Sequence, residues 1–230
     1  MIRTRKSILY LSAHHDDMVY SSAITIRQLL KRGCQVANLN LFTISGWHAT
    51  KALLNIEEVS KIRLEEERKM SIEMGYYTLS VGLPDSFSRG LNAYQELTQC
   101  CDEQQAESFS VILRRYLKPF SYDFVFVPIS AGNHIDHKYT RYLAEKNCDA
   151  GTFVYYEDMP YVATGVEISH LIPNNYTPIY FLGDYEAKLA DIRVYDSQLE
   201  DKNLEVIRRY GYSLVKGHYA ERIWVSQCQN

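Results

Sequence analysis

The chain has 230 residues, 46% of them apolar and 23% charged. That is the balance of a soluble globular protein long enough to bury a full core, and it excludes disorder or a collagen-like repeat. Lys and Arg total 25 against 28 Asp and Glu, a formal net charge of -3, which excludes the strong basic excess of a nucleic-acid-binding protein. Five cysteines, Cys34, Cys100, Cys101, Cys148 and Cys228, include no CxxC pair. They argue against a disulfide framework and for a reducing compartment. The early apolar run Ile8–Leu11 is too short for a signal segment, and no stretch approaches the roughly 20 apolar residues of a membrane span. The expected location is therefore cytoplasmic, with no membrane partner.

Ser7–Ser12 is a short apolar run that predicts a buried first strand. Ile24, Leu29 and Leu30 set a helical spacing over 19–32, stopped by Gly33. Residues 35–42 read as a second strand, and 46–54 as an irregular or partly helical excursion. A long charged helix over 56–74 is closed by Gly75. A weak third strand at 79–83 precedes the turn Pro84-Asp85-Ser86. One helix is expected over 94–117, ended by Pro119. Phe124–Ile129 is the clearest buried strand, followed by a Gly132-Asn133 loop and a helix over 138–146. A strand at 152–156, a Pro-bearing loop over 160–178, a largely helical stretch over 185–210 and a short strand at 220–225 complete the chain. Strands alternating with helices predict an α/β, Rossmann-like fold: one domain over 1–230 with a mainly parallel sheet and helices on both faces.

Ligands of such sheets sit at the carboxyl ends of the strands. Two loops there are dense in metal-ligating residues. One carries His14, His15, Asp16 and Asp17; the other carries His134, Asp136 and His137, so four of the seven histidines fall in these two loops. Two imidazoles and a carboxylate make a standard three-ligand set for catalytic zinc. Such a set leaves a position for water, whose pKa the metal lowers to about 7. Adjacent Asp16 and Asp17 suit a division in which one faces the metal and the other the substrate. A single His-Asp pair after a strand is ordinarily a turn or a helix cap, with Asp17 or Asp136 accepting backbone N–H groups. Two such loops at strand ends of one sheet favour the metal reading.

The two loops also resemble a known family. Ala13-His14-His15-Asp16-Asp17 is close to the AHPDD signature of the LmbE-like, or PIG-L, N-deacetylases, and His134-Ile135-Asp136-His137 matches their HxDH signature. Arg63-Leu64-Glu65-Glu66 with Met74-Gly75 is similar to the family's RxxE…LG helix, and Leu83-Pro84-Asp85 to its LPD turn. Tyr156-Glu157-Asp158-Met159-Pro160-Tyr161 looks like its YEDxPY segment, and Tyr195-Asp196-Ser197-Gln198 resembles its late YxSQ motif. The resemblance implies a three-layer α/β/α hydrolase that removes an acyl group, usually acetyl, from the nitrogen of an amino sugar or glycoconjugate. It implies one zinc per chain held by His14, Asp17 and His137; another divalent metal such as Fe2+ suits the same ligands. Asp16 would be the general base and His134 the group that stabilises the oxyanion. Asp136 would orient and polarise His134, and Arg63 and Asp85 would contact the sugar.

The chain departs from the pattern where His15 replaces the usual proline, read here as a turn residue with its ring partly exposed. Met18 stands where an acidic residue often follows, and Ser21, Ser22 and Ala23 stand near the usual glycine pair. Taken singly, Arg63 is one more salt-bridged residue of a charged helix, Asp85 an ordinary turn residue, and Glu157 and Asp158 loop residues within reach of the active edge. Two other readings compete. A non-haem iron oxygenase would use His134, Asp136 and His218, and would ordinarily be an all-β jelly roll. A non-catalytic sugar-binding module would have no need of both Asp16 and His134. Which amine is deacylated is not readable from the sequence, and oligomeric state is left open, a homo-oligomer included.

Overall fold

The structure, a computed structural model, describes residues 5–49, 54–118, 121–149 and 151–227. Pro119, Cys228 and the first four residues lie outside them. Seven strands form one sheet: β1 (Ser7–Ser12), β2 (Gln35–Ile44), β3 (Tyr77–Pro84), β4 (Phe124–Pro128), β5 (Thr152–Tyr156), β6 (Tyr176–Gly183) and β7 (Tyr219–Ser226). Their spatial order is β3-β2-β1-β4-β5-β7-β6. The first five run parallel, and β7 lies antiparallel to both β5 and β6. β1 and β4 are near-continuous apolar runs because helices cover both of their faces.

Right-handed crossovers place α1 (Asp17–Lys31) and α2 (Ile56–Met74) on one face. The chain then returns past β1, which puts α4 (Glu103–Leu117) and α5 (Ile135–Asn147) together on the other face. α2 starts on a capping box, Asn55 with Glu58, and ends at Gly75, whose φ of 87° is the left-handed value that favours glycine. The short α3 (Ala93–Thr98) and the helices α6 (Tyr185–Ile192) and α7 (Asp201–Leu214) complete the layers, with α6 against α1 and α7 against β7. Among the described residues, no helix is long and apolar enough to cross a membrane.

Three elements differ from the sequence reading. The single helix expected over 94–117 is two, because Gln99 leaves helical geometry with a ψ of 148° and Asp102 caps the second with its side chain. The stretch over 185–210 is broken between α6 and α7 by a 3-10 turn at Asp196–Gln198. The loop expected over 160–178 ends instead in β6, an edge strand that tolerates Pro178 because only one of its sides pairs. Near the position of the family's usual glycine pair, Ser22 has φ -139° and ψ 23° and kinks α1. The kink frees the N–H groups of Ile24 and Thr25, which donate to the buried Glu221 at 3.1 and 2.8 Å, while Lys188 pairs with the same carboxylate at 2.7 Å.

Candidate active site

From β1 the chain adds β2 and β3 on one side and then places β4 on the other, so the strand order reverses between the neighbours β1 and β4. Such a switch point opens a crevice at the carboxyl ends of the strands. The loop after β1 and the loop after β4 face each other across it. The second loop is tightly wound: Ser130 and Asn133 have φ values of 62° and 59°, a left-handed conformation that non-glycine residues hold only when the surroundings enforce it. Gly132 is required there for a different reason, since a Cβ would fall 2.2 Å from the Tyr161 ring. That ring packs edge-on against His137, with centroids 5.2 Å apart.

His14, Asp17 and His137 converge. Asp17 lies with Oδ2 3.5 Å from His14 Nδ1 and Oδ1 3.4 Å from His137 Nε2, and the ligand atoms of the three residues all lie within 4.8 Å of one another. Each imidazole is turned by its own carboxylate. His14 Nε2 donates to Asp136 Oδ2 at 3.1 Å, and His137 Nδ1 donates to Asp158 Oδ2 at 3.0 Å. A carboxylate only accepts, so these bonds leave His14 Nδ1 and His137 Nε2 as the nitrogens that can ligate a metal. His137 Nε2 is buried without a hydrogen-bond partner, and a metal ion at this point would satisfy it. Asp17 also accepts from the His14 backbone N–H at 2.7 Å, so it fixes the turn as well as facing the imidazoles.

His14, His134 and Asp136 also lie within 4.8 Å of one another, but their ligand atoms are committed elsewhere. His134 caps α5 by accepting the Asp136 N–H on Nδ1 at 3.2 Å. The Asp136 carboxylate accepts from the Ser86 N–H at 2.9 Å and from Arg89 at 2.7 Å, besides His14. The Asp136 carboxylate orients His14, and its backbone N–H holds the His134 ring. The cap also settles the His134 tautomer, leaving Nε2–H as a donor on the crevice side.

The charge states follow from burial and neighbours. Burial works against a proton on His14, but Asp17 and Asp136 outweigh it and raise the pKa to about 9. Burial likewise opposes the His137 cation, and Asp17 with Asp158 raises it regardless. Asp17 sits below the usual carboxylate range because the two imidazoles overcome its desolvation. His134 is pushed down to about 3 by burial and by the nearby His137 and His14, so its ring is neutral at physiological pH. A metal held by His14 and His137 would have to displace protons from both.

Arg63 and Asp85 both line the crevice. Arg63 is buried, and its guanidinium donates to Asp16 Oδ1 at 2.8 Å and to Ser45 Oγ at 2.7 Å. Asp16 makes no side-chain cap to α1; Arg63 holds it instead. Asp85 Oδ1 accepts from the Ser88 N–H at 2.6 Å. His15 is corrected: its ring is buried, and Nε2 meets Ser80 Oγ on β3 at 2.9 Å. The motif residues also hold one another, since Glu66 accepts from Ser197 N–H and Oγ at 2.8 and 2.6 Å. Glu157 points away from the crevice, to Arg222 at 2.6 Å and Trp224 at 3.0 Å. Sequence reasoning missed the pairing of Asp158 with His137 and of Arg89 with Asp136. Asp158 had a signal in the YEDxPY segment; Arg89 had none. His218 is exposed ahead of β7 and does not line the crevice, and with a mainly parallel sheet the oxygenase reading falls.

The family model for PIG-L, GlcNAc-PI de-N-acetylase, matches residues 9–148. The chain belongs to this family. The match takes in both His/Asp loops and makes the protein an N-deacetylase. Solved structures agree in fold. The zinc-inhibited form of a teicoplanin deacetylase is 19% identical with a TM-score of 0.73, over 98% of this chain and 100% of that one. The N,N'-diacetylchitobiose deacetylase of Pyrococcus horikoshii is 20% identical with a TM-score of 0.63, over 96% and 84%. The 4-carboxy-2-hydroxymuconate hydratase of Pseudomonas putida is 17% identical with a TM-score of 0.63, over 98% and 97%. The fold therefore does not fix the substrate. The search of curated proteins gave no match.

Proposed function

We propose that this PIG-L family member is a metal-dependent amidohydrolase that removes an N-acetyl group from an amino sugar or glycoconjugate in the cytoplasm, as a single catalytic domain. The observation that carries the metal is His137 Nε2, buried without a hydrogen bond 3.4 Å from Asp17 Oδ1 and beside His14. His14, Asp17 and His137 would hold one divalent ion, with Zn2+ the best match to two imidazoles and a carboxylate. When bound, the ion supplies Lewis acidity to the acyl oxygen and acidifies the attacking water.

The chain's own residues do the rest. Asp16, aimed by Arg63, takes a proton from the attacking water as its oxygen bonds the acyl carbon. The neutral His134 presents Nε2–H to the oxygen on which negative charge develops. The C–N bond then breaks, and the departing amine regains a proton from Asp16. Arg63 and Asp85 line the crevice, about 400 Å³ in volume, and would contact the sugar.

Metal content of the purified protein, wild type beside Asp17→Ala, tests the site. About one zinc per wild-type chain, lost in the variant, is the expected result. No metal in either protein after reconstitution overturns the mechanism. Amine release from a panel of N-acetylated amino sugars tests the reaction. Metal binding without amine release from any of them would move the reading toward another hydrolytic or hydrating reaction on the same fold.

A further inference from the structure

Glu221 and Lys188 are buried charged groups that the proposed reaction does not use, with side chains 2% and 0% exposed. Glu221 lies on β7 and Lys188 on α6, both beyond the residues that the family model matches. Together they replace backbone bonds that α1 loses at its kink. In a continuous helix the Ile24 and Thr25 N–H groups would donate to the Tyr20 and Ser21 carbonyls. Here Ile24 donates to Glu221 Oε1 at 3.1 Å, and Thr25 donates to Oε2 through its N–H and its hydroxyl, each at 2.8 Å. The Ser21 carbonyl accepts from Lys188 Nζ at 3.4 Å, and Lys188 closes the circuit on Glu221 Oε1 at 2.7 Å. Side chains inserted into the helical ladder are a recognised cause of a sharp kink. A buried ion pair is a poor way to gain stability, since apolar residues of similar volume often do as well or better. A pair placed where it breaks a helix points to a use for the break.

The use lies on the near side of Ser22, where α1 is buried throughout from Asp17 to Ser21. Asp17 faces His14 and His137, and Tyr20 lines the crevice. Ser21 Oγ accepts from the Met159 N–H at 3.1 Å. Met159 follows Asp158, whose carboxylate holds His137 Nδ1 at 3.0 Å. The start of α1 therefore meets the candidate metal site through Asp17 and again through the Met159 amide. We propose that Glu221 and Lys188 are positioning residues for this site. They hold α1 broken at Ser22, so that Asp17 and Ser21 keep their places against His137 and the segment that carries Asp158. The inference rests on the proposed metal site of His14, Asp17 and His137.

The test measures zinc affinity by chelator competition, well below the unfolding temperature of each protein. Glu221→Gln keeps the shape of the side chain but loses its charge and one acceptor. It is expected to weaken zinc binding by about tenfold, the low end of what a carboxylate directly behind a ligand histidine is worth. Ser21→Ala leaves the ion pair whole and cuts the link to Met159. It should weaken binding by a similar factor with a smaller loss of unfolding temperature. The double variant should bind no more weakly than the poorer single variant, because both act through one chain of contacts. If Glu221→Gln does not fold, Thr25→Val, which removes only the hydroxyl bond to Glu221, takes its place with a smaller loss of affinity expected. A lowered unfolding temperature with wild-type affinity makes the pair a stabilising one only and overturns the proposal. If the wild type binds no zinc, the metal reading fails, and hydrogen exchange at the Met159 amide decides the positioning alone. Faster exchange there in Glu221→Gln, with the β1 and β4 amides unchanged, supports it. An unchanged Met159 rate, or a rate raised equally at every amide, overturns it.

Discussion

His137 Nδ1 and Asp158 Oδ2 meet at 3.0 Å, with both side chains closed off from water. Asp158 is itself fixed, because its other oxygen accepts from the Ala131 N–H at 3.2 Å in the loop after β4. The pair holds the imidazole so that Nε2 faces Asp17. Carboxylates behind metal-ligating histidines are typically worth 10–100-fold in metal affinity. Asp158→Ala is expected to weaken metal binding by about that factor in a chelator competition. Asp158→Asn, which keeps an acceptor but not the charge, should fall between the variant and wild type. Unchanged affinity in Asp158→Ala would remove Asp158 from the site.

Much of this arrangement was legible in the sequence, and the reasons for the rest are physical. His14, Asp17, His134 and His137 are readable because they follow two apolar strand runs, and parallel sheets bring such ends together. Asp158 is harder, since its partner lies 21 residues away and the adjacent Glu157 turns to Arg222 and Trp224 instead. Two neighbouring acids thus face opposite ways, which only the β5–β7 pairing decides. His15 looked like a turn residue because the sequence does not show that Ser80 on β3 waits for its ring. β6 looked like a loop because Pro178 argues against a strand until the strand is known to be an edge.

Arg63 is bonded to Asp16 rather than left free for a ligand. Asp16→Asn is expected to keep its metal and to lose about 10²–10⁴-fold in kcat, the usual contribution of a positioned base. Arg63→Ala should lower kcat by a smaller factor and raise KM. In the Asp16→Asn background, Arg63→Ala should cost only the KM effect, because residues acting as a unit are not additive. Steady-state kinetics on the four proteins, with metal content measured for each, checks this. Independent kcat losses would show that Arg63 does not act through Asp16.

The Arg89–Asp136 pair is a buried ion pair, with side chains 9% and 0% exposed and 2.7 Å between them. The guanidinium also lies over the rings of Phe42, Tyr139 and Phe109, 5.2 to 5.9 Å from their centroids. Arg89→Met keeps most of that packing but leaves the Asp136 charge without its cation. Removing one partner of such a pair costs about 3–5 kcal/mol. Urea unfolding should show a loss of that size for Arg89→Met, offset in part because His14 and Ser86 still donate to Asp136. The double variant Arg89→Met/Asp136→Asn should lose clearly less than the sum of the single changes. Additive losses would mean that Arg89 stabilises by packing alone.

His15 gives the fold a dependence on pH with a definite sign. Burial, helped by the Arg63 cation, pushes its pKa down to about 3, whereas a histidine in the unfolded chain titrates near 6.5. Between those values the unfolded chain binds the extra proton and the folded chain does not. Stability therefore falls as pH drops from about 6.5 toward 3, and the neutral ring's contribution is complete above 6.5. One such group accounts for a slope of at most about 1.4 kcal/mol per pH unit. His15→Gln, which can still reach Ser80 but does not titrate, is expected to flatten the acid limb by up to that slope while changing little above neutral pH. Urea midpoints at about pH 7, 6, 5 and 4 for both proteins, at one fixed metal loading, measure it. An acid limb as steep in His15→Gln as in wild type would place the proton uptake elsewhere, with His134, held near 3 by the same kind of burial, the next group to replace.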